Sequence, residues 1–89
     1  MKIYYVYILY SLLDNRFYTG KTNNIHDRLT RHYQGRVKST KNRRPLVLVH
    51  LEVYNSETEA DKREKILKLP SAGRLKNKIR EHLKLDIPR

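Results

Sequence analysis

The first apolar run, residues 3–10, carries hydrophobic or aromatic side chains on both faces of an extended chain. A strand that is apolar on both faces is typical of the centre of a sheet. Asp14 and Asn15 supply turn residues, and residues 16–19 return as a second strand. The pattern predicts a β-hairpin whose second strand ends at Gly20.

A helix is predicted after the hairpin. Asn23 or Asn24 can cap it, and Asp27 lies in the first turn, where an acid is favourable. Side chains at helical spacing should face the core, with the last position open between two neighbours: Ile25, Leu29, and Tyr33 or His32. Gly35 closes the helix, and residues 36–44 are expected to form a mobile basic loop.

A third strand is predicted at residues 46–54. Four apolar residues of this strand line one face without interruption: Val47, Val49, Leu51 and Val53. Ser56 with Glu59 three residues later forms a capping box, which opens a second helix that Pro70 ends. Ser71 is expected to cap a third helix, whose packing positions are Leu75, Ile79 and Leu83.

The element order is therefore β-β-α-β-α-α, which is an α+β arrangement. Because 89 residues are too few to build two cores, we expect one domain over residues 1–85. A short tail, residues 86–89, should fray. The N-terminus lacks the layout of a signal peptide and the apolar runs are too short to span a bilayer, so we expect a cytoplasmic protein without a membrane partner.

The charge points to a polyanionic partner. Lys and Arg number 20 against 9 Asp and Glu, and the formal net charge is +11. Nucleic acid is the commonest partner of so basic a domain, although a merely solvated basic surface is the alternative. Without cysteine, disulfides and thiolate metal sites are excluded, and the four histidines lack zinc-finger spacing.

The residues with candidate chemistry each have a plainer interpretation. Glu64 falls on or beside the core stripe of the second helix, but it could simply pair with Lys68 at i,i+4. Most of the tyrosines must be core residues, because aromatics are favoured in strands. Residues 20–22, Gly-Lys-Thr, match the end of a P-loop, but the glycine required five positions earlier is replaced by Asn15.

Taken together, these residues resemble the GIY-YIG nuclease superfamily, and the chain is most similar to its small stand-alone bacterial members. Residues 5–7, Tyr-Val-Tyr, resemble the first signature, with Tyr in place of glycine, and residues 18–20, Tyr-Thr-Gly, resemble the second, with Thr in place of Ile. The resemblance implies a three-stranded antiparallel sheet flanked by helices and places the catalytic residues at these positions: Tyr7, Tyr18, Arg28, His32 and Glu64.

The resemblance also implies hydrolysis of phosphodiester bonds with one Mg²⁺ or Mn²⁺ ion, which Glu64 would hold. Arg28 would neutralise charge on the phosphate, and Tyr7 or Tyr18 would orient or deprotonate the attacking water. Lys21 would assist a tyrosine, and His32 would hydrogen-bond to a tyrosine or to the phosphate.

The substrate is expected to be nucleic acid, with DNA ahead of RNA, and a protein partner could supply specificity. Candidate supporting or nucleic-acid-binding residues are Lys21, Arg31, Arg36, Lys38, Lys41, Arg43, Arg44 and Asn77. One alternative is a non-catalytic nucleic-acid-binding module on the same scaffold, and another is a protein-interaction domain. The oligomeric state stays open.

Overall fold

Three strands and three α-helices make up residues 2–86, the part of the chain that this computed structural model describes, with side chains through residue 83. In chain order they are β1 (Tyr4–Ser11), β2 (Phe17–Thr22), α1 (Ile25–Tyr33), β3 (Leu46–Tyr54), α2 (Glu57–Lys68) and α3 (Gly73–Asp86). The predicted order β-β-α-β-α-α is confirmed. No described helix is long and apolar enough to cross a membrane.

The sheet is antiparallel throughout, with strand order β2-β1-β3. The prediction that β1 lies at the centre is confirmed. The predicted end of β2 at Gly20 is wrong, because the ladder continues through Lys21 to Thr22, which pairs with Tyr5. A glycine inside a strand often marks a place where another group approaches the backbone closely.

Each face of the sheet is covered by helices. On one face, α2 and α3 cover a core that includes Val6 and Ile8 of β1 and Ala60 and Leu67 of α2. On the other face, α1 covers a second cluster around Tyr7 and contributes Ile25 and Leu29. The apolar character of β1 on both faces follows from its position between these two layers.

The predicted uninterrupted apolar face of β3 is wrong. The pairing with β1 shifts by one residue between Ile8, which pairs with His50, and Leu9, which pairs with Leu48. Val49 is therefore the extra residue of a β-bulge, and the alternation of side chains changes there. Val47 is left on the α3 side, while Leu51 and Val53 lie on the α1 side, 43% and 58% exposed.

The first helix begins as predicted and is followed by an anchored loop. The Asn24 side chain accepts a hydrogen bond of 3.1 Å from the Asp27 backbone N–H. At the other end, Gly35 adopts φ +75°, a backbone conformation that favours glycine. Instead of the expected mobile loop, residues 36–44 bury Val37 and Thr40 and include a 3₁₀ turn, Lys41–Arg43.

Two details of the last helices differ from the prediction. The predicted cap at Ser56 is confirmed, since Ser56 Oγ accepts a hydrogen bond of 3.3 Å from the Glu59 N–H, but among the described residues the Glu59 carboxylate does not return the bond to the Ser56 N–H. Ser71 does not cap α3, because it lies inside a 3₁₀ turn, Pro70–Ala72, that joins the two helices. Helix α3 extends through Asp86, and the rest of the predicted fraying tail, residues 87–89, lies outside the described residues.

Candidate active site

Tyr7 and Gly20 set the position of the site at the β2 edge of the sheet. The two residues pair directly across β1 and β2. A Cβ atom added to Gly20 would lie 2.5 Å from Cζ of Tyr7. The ring of Tyr7 therefore crosses the edge strand through the space that a side chain at position 20 would fill. The sequence signal for this arrangement is the lone glycine inside an aromatic strand.

A buried chain of hydrogen bonds holds the Tyr7 hydroxyl. It lies 2.9 Å from Nε2 of His32, whose Nδ1 lies 2.7 Å from Oγ1 of Thr40. The expectation that His32 hydrogen-bonds to a tyrosine is confirmed, and the core-facing residue left open at the end of α1 is His32, since Tyr33 is 46% exposed. Burial, aided by the charge of Arg28, lowers the pKa of His32 to about 4.

His32 is consequently neutral near pH 7, with one nitrogen that donates and one that accepts. Thr40, at the other end of this chain, was not identified from the sequence. It lies in a basic loop after a turn, and no local pattern distinguishes it from the other polar residues there. Its role depends on the loop folding back onto α1.

Arg28 lies one turn before His32 on α1 and faces the tyrosines. The close approach of the Tyr7 hydroxyl raises the pKa of Arg28, despite the opposing effect of burial, and Tyr18 adds to the rise. Its Nε is buried and has no hydrogen-bond partner within residues 2–86. A buried donor without a partner is costly, so this cation is suited to receive an anion.

Tyr18 completes the aromatic part of the site. Its ring centroid lies 6.5 Å from that of Tyr7 and 5.3 Å from that of His32, the latter in an edge-to-face arrangement. It projects from β2 on the same face of the sheet as Tyr7, because Tyr18 pairs with Leu9. The two phenols and the imidazole thus form one packed group on the α1 side of the sheet.

Glu64 approaches this group from α2. Lys21, next to Gly20 on β2, binds Glu57 and Asp61, so that side of α2 borders the β2 edge. Glu64 lies one turn after Asp61 on the same side. The pKa of Tyr7 is raised mainly by burial, and the Tyr18 and Glu64 charges add to the rise while Arg28 opposes it. The Glu64 carboxylate is therefore near enough to the Tyr7 hydroxyl for its charge to contribute to this rise in pKa.

The environment of Glu64 fits a hard divalent cation. Its side chain is 22% exposed, and one oxygen lies 3.4 Å from Nζ of Lys68, as the plainer interpretation predicted. Within residues 2–86, no three His, Asp or Glu side chains converge as a ready-made metal cage. Mg²⁺ does not need one, because it binds through one or two carboxylates together with water and substrate phosphates.

Lys21 does not extend toward the tyrosine hydroxyls. It pairs with Val6 in the ladder, so its side chain projects from the opposite face of the sheet to Tyr7. Its ammonium group binds Asp61 and, at 3.3 Å, Glu57. These two carboxylates raise the pKa of Lys21, with Asp61 as the main cause. The observed contacts make Lys21 a link between β2 and α2.

The basic residues of α1 and of the loop that follows it fall into two groups. Arg28, Arg36 and Lys38 line an open hollow of about 640 Å³ together with Val37 and Ser39. Neither Arg36 nor Lys38 forms an ion pair with any described residue. This hollow continues from the Arg28 guanidinium and carries two further cations.

Three other predicted nucleic-acid-binding residues have structural partners: Arg31, Arg43 and Arg44. Arg31 pairs with Asp27 at 3.0 Å, and Arg43 binds Asp14 at 2.6 Å. The Arg44 guanidinium packs over Gly35 and donates to the carbonyl oxygens of Lys41 and Tyr33.

Lys41 is exposed at the start of the 3₁₀ turn. Asn77 is exposed on α3, which packs against the other face of the sheet and is not brought to the tyrosines.

Comparisons with known proteins agree on one family. The model of the GIY-YIG catalytic domain matches residues 3–80. The chain is 46% identical over 65 residues to a UPF0213 protein of Staphylococcus haemolyticus, covering 72% of this chain and 78% of that protein. It is 47% identical over 74 residues to a UPF0213 protein of Syntrophus aciditrophicus, covering 80% and 84%.

A solved structure is similar as well. The solution NMR structure of a UPF0213 protein from Bacillus halodurans matches with a TM-score of 0.52 and 31% sequence identity. The match covers 94% of this chain and 85% of that chain. The similarity therefore extends over nearly the whole fold described above.

Proposed function

The chain belongs to the GIY-YIG family, and from this premise we propose that it is a divalent-metal-dependent endonuclease. Its substrate would be nucleic acid, with DNA ahead of RNA. The observation that carries the proposal is the buried Arg28 Nε without a partner, beside the hydrogen-bonded Tyr7 hydroxyl and within reach of the Glu64 charge. An anionic phosphate would satisfy Arg28, and the other two groups would act on it.

In the proposed hydrolysis of a phosphodiester bond, four residues of the chain would have separate roles. Arg28 binds the scissile phosphate and stabilises the charge that develops on its oxygens. Tyr7, in its deprotonated form, would take a proton from the attacking water as the new O–P bond forms and the bond to the leaving oxygen breaks, and neutral His32 would donate a hydrogen bond from Nε2 to the phenolate oxygen. His32 orients this hydroxyl; with a pKa of about 4 it is a poor store for a second proton. Tyr18 packs beside both rings.

Glu64 would hold the Mg²⁺ or Mn²⁺ ion together with substrate oxygens. When bound, such an ion supplies Lewis-acid stabilisation of the phosphate and of the leaving oxygen. The hollow formed by Arg28, Arg36 and Lys38 would bind the flanking backbone. Because contacts of this kind involve phosphates, binding should be salt-sensitive and weakly sequence-specific.

A second candidate is a nucleic-acid-binding module without catalysis. The observation in its favour is the Lys68 ammonium, 3.4 Å from Glu64, which already neutralises the carboxylate that would hold the metal. Such a protein would use the same basic hollow and would leave phosphodiester bonds intact. A protein partner could direct it, or the nuclease, to particular sites.

The test compares wild-type protein with Glu64→Ala on labelled single-stranded, nicked and branched substrates, with Mg²⁺ and with Mn²⁺. Glu59→Ala is a matched control, because Glu59 lies on the same helix but is exposed. The proposal expects cleavage by wild type and by Glu59→Ala, and binding without cleavage by Glu64→Ala. Equal cleavage by purified Glu64→Ala would overturn it, and binding without cleavage by wild type would support the second candidate.

A further inference from the structure

Away from the tyrosines, the Glu52 carboxylate of β3 collects donors from two elements. Arg63 of α2 binds it with both Nε and Nη2, at distances of 2.8 Å to 3.1 Å. His50 Nε2 lies 2.7 Å away and the Tyr54 hydroxyl 2.6 Å away. The Glu52 side chain is only 16% exposed. Its two oxygens are therefore saturated, and Arg63 is held in one place.

The position of Arg63 on its helix gives this ion pair its significance. Successive helical residues project about 100° apart, so Arg63 and Glu64 cannot point the same way. The buried stripe of α2, Ala60 and Leu67, runs between them. Arg63 points toward β3 at one edge of the sheet, and Glu64 points toward β2 at the other.

A second set of ion pairs acts on the opposite side of the same helix. Lys21 of β2 binds Glu57 and Asp61, which share the side of α2 that carries Glu64. The helix is thus tied to both edge strands. Rotation of α2 about its axis would break one tie or the other.

We propose that Arg63 and Glu52 are positioning residues that fix the rotation of α2, so that the Glu64 carboxylate faces the Tyr7 hydroxyl and Arg28. This inference rests on the proposed function and adds two residues to it. The apolar stripe of α2 alone does not fix the rotation of the helix, because Ala60 is small and offers little surface for packing contacts. Bidentate pairing by arginine supplies a fixed geometry that a single lysine contact does not.

If the ion pair between Arg63 and Glu52 served only stability, its loss would lower the free energy of unfolding and leave the affinity for the divalent ion unchanged. The Arg63 side chain is 36% exposed, so water can reach the position that Arg63 leaves, and the Glu52 carboxylate keeps its contacts with His50 and Tyr54. Loss of the pair should therefore leave the fold in place. It should instead change how well Glu64 binds a divalent ion, as loss of supporting contacts around metal ligands does.

The experiment uses Arg63→Gln, with Lys62→Gln as the matched control. Lys62 lies on the same helix, is exposed, and its one ion pair within the described part of the chain is with Glu59, at 4.0 Å. The first readout is the Mn²⁺ concentration that gives half-maximal cleavage. It should rise about tenfold to a hundredfold in Arg63→Gln, with the KM for the oligonucleotide nearly unchanged, and stay at the wild-type value in Lys62→Gln. Arg63→Lys should recover part of the loss.

The second readout does not need turnover. Mn²⁺ broadens amide resonances near its binding site in NMR spectra, and in wild type with an uncleavable phosphorothioate oligonucleotide this broadening should centre on Glu64. Arg63→Gln should need several times more Mn²⁺ to produce it. If Arg63→Gln is unfolded at the assay temperature, the Mn²⁺ titration is repeated on Arg63→Lys and Glu52→Gln. The positioning role then requires that Glu52→Gln needs more Mn²⁺ than wild type to broaden the resonances around Glu64.

The outcomes separate the two proposals. Unchanged Mn²⁺ dependence in Arg63→Gln, with Glu64→Ala inactive, would overturn the positioning role and leave the nuclease proposal intact. Absence of cleavage by the wild-type protein would overturn the nuclease proposal. In that case, Mn²⁺ broadening that does not centre on Glu64, or does not depend on Arg63, would overturn the positioning role as well.

Discussion

The ring of Tyr7 on β1 lies across Gly20 on β2, in the space that the side chain of any other residue would occupy. This relationship explains why a glycine stands inside the edge strand. It also couples the two strands to the site, since the Tyr7 ring that lies over Gly20 carries the hydroxyl that contacts His32 at 2.9 Å.

Gly20→Ala should therefore damage the site more than the fold. The added methyl group would overlap Cζ of Tyr7 and push the ring away from His32. We expect a loss of about 1–3 kcal/mol in unfolding free energy from overpacking, and a fall of about 100-fold in cleavage rate from displacement of the hydroxyl. Chemical denaturation and single-turnover cleavage measure the two effects.

Gly73→Ala is the control for this substitution. A Cβ atom at Gly73, the first residue of α3, would meet nothing within 4 Å, and alanine favours helix. It should leave activity unchanged and stability unchanged or higher. Wild-type activity in Gly20→Ala would show that the position of the Tyr7 ring does not matter.

Tyr7→Phe should lower the cleavage rate and abolish the pH dependence of kcat/KM. Burial and the charges of Tyr18 and Glu64 raise the pKa of Tyr7, so the phenol is protonated at neutral pH and its deprotonated fraction grows with pH. If this group acts on the water, kcat/KM of wild type should rise between about pH 6 and pH 9. Tyr7→Phe should lose about 100-fold to 10,000-fold and show a flat profile.

The profile also tests His32. Because burial and Arg28 lower the pKa of His32 to about 4, no change of slope from this residue should appear near pH 6.5. A profile for Tyr7→Phe that still rises as in wild type would transfer the role to another group, and Tyr18→Phe is the variant to compare.

Acid should destabilise the fold through His32. The pKa of His32 in the folded state is about 4, below its ordinary value of 6.5. Between these two pH values the unfolded chain therefore binds a proton at His32 that the native state does not bind. The stabilisation is complete above about pH 6.5 and is lost as the pH falls toward 4, with a size on the order of 2–3 kcal/mol. Urea unfolding of wild type and His32→Asn across this range measures the difference, which should vanish if His32 is not buried neutral.

Thr40→Val should reveal how much the loop contributes. Valine keeps the volume but removes the hydroxyl that lies 2.7 Å from Nδ1 of His32. A buried nitrogen without a partner costs about 1–3 kcal/mol, which urea unfolding detects. Thr58→Val, at an exposed position of α2, is the control and should change stability by less than about 0.5 kcal/mol. Equal stability of the two variants would contradict the hydrogen-bond chain.

Arg36→Gln and Lys38→Gln should weaken nucleic-acid binding in a salt-dependent way. Both cations line the hollow beside Arg28 without ion-pair partners among the described residues. Each lost phosphate contact should reduce the slope of log K against log salt by about 0.7–0.9. Arg31→Gln is the control, since Arg31 is paired with Asp27 at 3.0 Å, and its slope should change less. Equal slopes for all three variants would remove the hollow from the binding surface.

The sequence by itself determined the type and order of the elements and indicated most residues of the candidate site. The apolar run of β1 and the helix caps at Asn24 and Ser56 are local patterns, and each was found where predicted. The site residues were identified because five residue types occur in the order and spacing of one family. Their catalytic roles and the domain boundaries stay predictions.

Only the tertiary structure decided which of these side chains meet. The bulge at Val49, the direction of Lys21 and the partnership of Thr40 with His32 depend on strand register and on a loop that folds back. The physical reason is that periodicity reports the neighbours of a residue along one element. The rotation of α2 about its axis turns Arg63 toward β3 and Glu64 toward β2. It is set by contacts with strands far away in sequence.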